Sequence, residues 1–71
     1  MSYCIVTAVK YDKTEVKTLI NLDYMVEISE YNDSDNDEIL TIIRLCQDCL
    51  ERLINCKESI DQIIESSFEL Q

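Results

Sequence analysis

The sequence predicts an α+β fold, a small antiparallel β-meander of three to five strands followed by a C-terminal helix. Three observations predict it. Short β-branched and aromatic runs fill the first half of the chain. Ser59 stands where an N-cap belongs, just before the helically spaced Ile60, Ile63 and Ile64. The chain has 71 residues, of which 46% are apolar. That is enough for one domain, residues 1–71, with a thin core.

The elements follow in order. Residues 3–11 (YCIVTAVKY) set Cys4, Val6 and Ala8 against Ile5, Thr7 and Val9. Both faces are largely apolar, as in a well-covered strand. Residues 12–15 (DKTE) form a polar turn, and residues 16–22 (VKTLINL) return antiparallel. Residues 23–31 alternate Tyr24, Val26 and Ile28 with Met25, Glu27 and Ser29, which describes a strand with one wet face. Residues 32–38 (NDSDNDE) read as a solvated loop or a helix start.

From Ile39 two readings compete. Ile39, Ile42, Ile43, Cys46, Cys49, Leu50, Leu53 and Cys56 keep helical spacing, with polar residues on the other face. This gives the alternative fold, a three-stranded sheet plus one long helix from about residue 37. In the other reading, residues 38–45 (EILTIIRL) and 52–58 (RLINCKE) are antiparallel strands joined through 46–51, and a short helix follows over residues 60–68. Periodicity alone favours the long helix.

A family resemblance shifts the balance toward strands. Asn21 and Asp23, then Thr41, Ile43 and Leu45, then Glu58 and Ser59 follow the plan of small FlbD-like flagellar and swarming-motility proteins. Similar small proteins of unknown function occur in bacteria and their phages. The resemblance implies a β-meander ending in a helix, and no catalytic residues. Two departures stand out. FlbD-like hairpins carry Asp-Gly or Asn-Gly, which supply positive φ for a tight turn. Here Gln47-Asp48-Cys49 fill that place without glycine, in a longer connection, and the loop before Thr41 is longer and more acidic.

Charge then bounds the function. Fifteen acidic and six basic side chains, with no His, give a net charge of −9. Direct nucleic-acid binding rests on Lys and Arg neutralising phosphates, so it is disfavoured, as are anionic membranes. A basic protein surface is the better-matched partner. The acidic cluster Glu27, Glu30, Asp33, Asp35, Asp37 and Glu38 is the candidate partner-binding site. Clustered on one side, these carboxylates would imitate the spacing of a phosphate backbone, and the expectation is an inhibitor of a host nucleic-acid-binding or defence protein, encoded by a phage or other mobile element. Apolar surface left over after folding favours a homo-oligomer. Lys10, Lys13 and Lys17 lie close in sequence and would suit an anionic ligand, which gives the alternative of an oligomer that sequesters a small nucleotide signal. A motility accessory role is the further alternative, carried by the resemblance.

Other chemistry lacks its parts. Cys46-x-x-Cys49 has half of a zinc spacing, but no His and no second pair accompany it. The thiols read instead as apolar packing. Asp33, Asp35 and Asp37 open like a calcium loop, yet Glu38 replaces the turn glycine and Arg44 the bidentate Glu. No imidazole base, glycine-rich phosphate cradle or nucleophile elbow is present, so the expectation is a non-enzyme without cofactors. The start MSYCIVTAVKYDK lacks signal-peptide character, and no apolar run reaches the ~18 residues of a span, so a cytoplasmic location is expected.

Overall fold

The computed structural model describes residues 1–33 and 38–69, with residues 33 and 38 described as backbone alone. Five strands form an antiparallel meander: β1 (Ser2–Val9), β2 (Glu15–Asn21), β3 (Met25–Asp33), β4 (Glu38–Gln47) and β5 (Leu50–Cys56). A short helix α1 (Ile60–Ser66) follows, then a two-residue strand β6 (Phe68–Glu69). The protein is thus mostly antiparallel sheet with one short helix. The long-helix alternative fails, because residues 38–56 are two strands.

The strand order is β2-β1-β5-β4-β3, with β6 beside the start of β1. Sequence neighbours pair along their length except β2 and β3, which a 3-10 turn (Leu22–Tyr24) separates. The join between β1 and β5 is a single ladder pair, Ala8↔Cys56. The 3-10 turn packs on both β1 and β4, and α1 on both β1 and β3, so the sheet curls toward an incomplete barrel.

Alternation decides what the curl encloses. Cys4 and Val6 of β1, Ile20 of β2, Ile43 of β4, and Ile54 and Cys56 of β5 point inward, and Ile63 of α1 closes over them. Cys4 lies opposite Ile20, and Ile43 opposite both Ile28 and Ile54, so the ladders stack these side chains in register. The core is small. Among the described residues, thirteen large apolar side chains are exposed and eight apolar residues are buried. Much apolar surface therefore remains on the outside.

The β4–β5 connection is two residues, tighter than the sequence reading. Gln47 pairs with Leu50, and Asp48 and Cys49 take φ values of 52° and 67°. Two positive φ values are the requirement of a type I′ turn, which matches strand twist and is normally met by Asn-Gly. The chain adopts it without glycine because the Ile43↔Ile54 and Thr41↔Cys56 pairs fix the register from the core side. The β1–β2 loop is built likewise. The Lys13 N–H bonds the Lys10 carbonyl at 2.9 Å, Lys10 N–H bonds Thr14 O at 2.8 Å, and Lys13 sits at φ 71°. An Asp12 carboxylate oxygen accepts the Thr14 N–H at 3.0 Å.

Boundaries move in three further places. Tyr11 falls in the first loop rather than in β1, and the strands β3 and β4 claim residues 32, 33 and 38 from the expected loop. Phe68 leaves the helix and pairs opposite Tyr3 in β6.

Candidate functional site

The structure distributes the acidic cluster among different tasks. Glu27 is exposed on β3 opposite Arg44 of β4, next to an irregularity in register between Met25 and Glu27. Asp33 and Glu38 lie directly opposite each other as the last described pair of the β3–β4 ladder. Asp35 and Asp37 lie outside the described residues. Glu30 is engaged elsewhere: its Oε1 accepts the Ile60 N–H at 3.0 Å and so caps the first turn of α1 from a neighbouring strand.

Asn21, Thr41, Glu58 and Ser59 have structural tasks instead. Thr41 is buried at 1% exposure, and its hydroxyl donates to the Glu58 carbonyl at 2.6 Å. The Glu58 carboxylate accepts the Thr7 N–H at 2.7 Å, while Thr7 O accepts the Lys57 N–H at 3.1 Å. Burial raises the Glu58 pKa, but the Thr7 hydrogen bond, its own backbone and Lys57 outweigh it, leaving the carboxyl below its ordinary value. Ser59 caps α1 reciprocally with Gln62: its Oγ accepts the Gln62 N–H at 3.2 Å, and Gln62 Oε1 accepts the Ser59 N–H at 2.9 Å. Asn21 Oδ1 accepts the Asp23 N–H at 3.0 Å and starts the 3-10 turn.

The cations gather toward the β1–β2 loop and β5. Lys10 and Arg52 line one groove of about 640 Å³, with Tyr11, Thr18, Leu53 and Asn55. Lys17 lies opposite Thr7 in the β1–β2 ladder, and Lys13 occupies the loop. Lys57 binds Glu15 at 3.1 Å across the same end of the molecule. Arg44 is separate, with its Nε 4.0 Å from Glu51. A second groove of about 700 Å³ opens between β2 and the β4–β5 hairpin, lined by Leu19, Tyr24, Leu45 and Leu50. Arg52 and Ile54 belong to both grooves.

The outer face carries an apolar pair that sequence reading did not single out. Ile5 and Leu19 lie opposite each other on β1 and β2, 52% and 54% exposed. Tyr3 adjoins them on the same face of β1, its ring 6.3 Å from that of Phe68. The signal was present in residues 3–11, whose two apolar faces fit a covered strand; here one of the faces is left open.

All four cysteines are free thiols. Cys4 and Cys56 are core residues, Cys46 is half-buried in β4, and Cys49 is exposed in the turn. Burial, then Glu58 and Cys4, push the Cys56 thiol up to about 11, and burial with Glu58 raises Cys4. Among the described residues no three or more Cys, Asp or Glu converge on a metal position, and no helix is long and apolar enough to cross a membrane. No protein-family model, curated protein or solved structure matches the chain.

Proposed function

We propose that this chain is a non-enzymatic, acidic protein-binding module that self-associates and inhibits a nucleic-acid-binding host protein by occupying its basic surface. One observation carries the reading: the Asp33↔Glu38 pair. With Asp35 and Asp37 between them in sequence, four acidic residues fall within six positions of a chain of net charge −9. A field of that sign accelerates encounter with a basic partner and repels nucleic acid.

Self-association rests on the Ile5–Leu19 pair, an uncharged patch on a chain of net charge −9. The test is co-purification of a nucleic-acid-binding protein from host lysate by the tagged chain. Replacing Asp33, Asp35 and Asp37 with Lys should abolish capture, and capture that survives this change removes the proposal.

A further inference from the structure

Strand β2 ends the sheet on one side and pairs with β1 alone among the described residues. The Lys10 N–H bonds Thr14 O at 2.8 Å, so Lys10 and Thr14 are a bonded pair, and bonded and non-bonded pairs alternate from there along the ladder. Val16, Thr18 and Ile20 therefore bond to β1, while the main-chain groups of Glu15, Lys17, Leu19 and Asn21 turn outward. The far side of β1 agrees. Thr7, opposite Lys17, donates its N–H to the Glu58 carboxylate and accepts the Lys57 N–H, both away from β2.

Sheet edges are blunted by bulges, prolines, charge or a covering element. The β3 edge has several of these: its register shifts between Met25 and Glu27, it carries Glu27, Glu30 and Asp33, and α1 packs against it. The β2 edge differs. Its seven residues keep unbroken register with β1 and include no proline. Its charges are one Glu and one Lys, and Glu15 is tied to Lys57 at 3.1 Å. Copies of a chain of net charge −9 thus repel at the β3 edge and meet no excess of charge along β2.

The β2 sequence is also self-complementary about Leu19. A two-fold axis there sets Leu19 against Leu19 and Lys17 against Asn21 in both directions, each with outward main-chain groups facing outward ones. Leu19 is 54% exposed and Ile5, opposite it on β1, is 52% exposed. The axis extends this pair into one apolar row, Ile5–Leu19–Leu19–Ile5, across β1 and β2 of both copies. Lys17 then meets a neutral amide, whereas an axis at Lys17 would oppose two like charges. We infer that two copies of the chain pair antiparallel along β2, about Leu19, and join their sheets into one. This deepens the self-association proposed above and rests on it: the apolar pair is the centre of the contact, and main-chain hydrogen bonds fix its direction.

The test is amide hydrogen exchange on the full chain at rising concentration, with native mass spectrometry alongside. Dimer formation should slow exchange at Lys17, Leu19 and Asn21 at least about tenfold relative to dilute protein. A mixture of isotope-labelled and unlabelled chains should show Thr18 Hα close to Ile20 Hα of the other copy, as in a non-bonded pair. Leu19→Pro removes the outward N–H at the axis and no bond to β1, so it should give a folded monomer, while Leu19→Val keeps the dimer. Exchange and the inter-chain contact are read on the unsubstituted chain, so the outcome does not depend on Leu19→Pro folding. An oligomer whose Lys17, Leu19 and Asn21 amides exchange freely overturns the edge pairing and leaves self-association through the outer face standing. A monomer at every concentration overturns both. Protection that appears only with another protein bound gives the edge to a foreign strand and overturns the inference too. Lys substitutions at Asp33, Asp35 and Asp37 leave the protection unchanged, so loss of the inhibitor reading and loss of this one are distinguishable.

Discussion

The Glu58 carboxylate accepts the Thr7 N–H at 2.7 Å where β1 parts from β5, and the carbonyl of the same residue accepts the Thr41 hydroxyl at 2.6 Å. One residue thus completes the edge of β1, anchors β4 and starts the chain toward α1. Removing its side chain leaves the Thr7 N–H without its partner. Glu58→Ala should lower unfolding stability by about 1–2 kcal/mol, discounted for partial exposure, and Thr41→Val by about 1 kcal/mol. Urea denaturation checks both. The folded carboxyl lies below its ordinary value of 4.5, so folding favours the ionised form. Its stabilisation is complete above that value and is lost as pH falls through the lower folded one. The gap between wild type and Glu58→Ala should narrow in that acid window and stay constant above it.

The Asp48–Cys49 turn holds two residues at positive φ, where glycine carries no side-chain penalty. A left-handed conformation costs a non-glycine residue about 1–2 kcal/mol, offset in part by the greater freedom of an unfolded glycine. Cys49→Gly should therefore stabilise the protein by about 0.5–1 kcal/mol, raising Tm by a few degrees. Cys49→Val, β-branched at the same φ, should lower Tm, and thermal unfolding of the two variants gives the comparison.

Thiol labelling at pH 8 should separate the cysteines in the order of their surroundings. Cys49 reacts first and half-buried Cys46 more slowly. Cys4 and Cys56, buried and held as thiols by their raised pKa values, react only when urea unfolds the chain. Mass spectrometry of the labelled protein counts the sites. Fast modification of Cys56 in the folded state would contradict the packing of β5.

Association through the outer face should show in native mass spectrometry as an oligomer that Ile5→Lys or Leu19→Lys returns to monomer. Copies of net charge −9 repel one another, so added salt should tighten the assembly by screening. A wild-type monomer at every salt concentration, or an oligomer indifferent to both substitutions, rules this face out.

The meander and the short helix were legible because strand alternation in residues 3–31 and the Ser59 cap are local signals. Residues 38–56 were not, since Ile42, Ile43, Cys46, Cys49, Leu50 and Leu53 satisfy helical spacing while their true pairing is across a hairpin. The turn that decides between the two carries no glycine to announce it. Strand β6 has no local signal at all; Phe68 is placed by the ring of Tyr3, sixty-five residues earlier. Of the acidic cluster, sequence showed the charge but not that Glu30 caps α1, because that role depends on where a distant helix lands.

The single Ala8↔Cys56 pair has a kinetic consequence. Residues 2–21 pair among themselves, as do residues 25–56. Nearly all strand pairing is therefore between near neighbours in sequence, which keeps contact order low for a β protein and favours rapid formation of each half. The long-range closures are those that join Ala8 to Cys56, Thr7 to Glu58, and Ser2 and Tyr3 to Glu69 and Phe68, and these carry the larger loop-closure entropy.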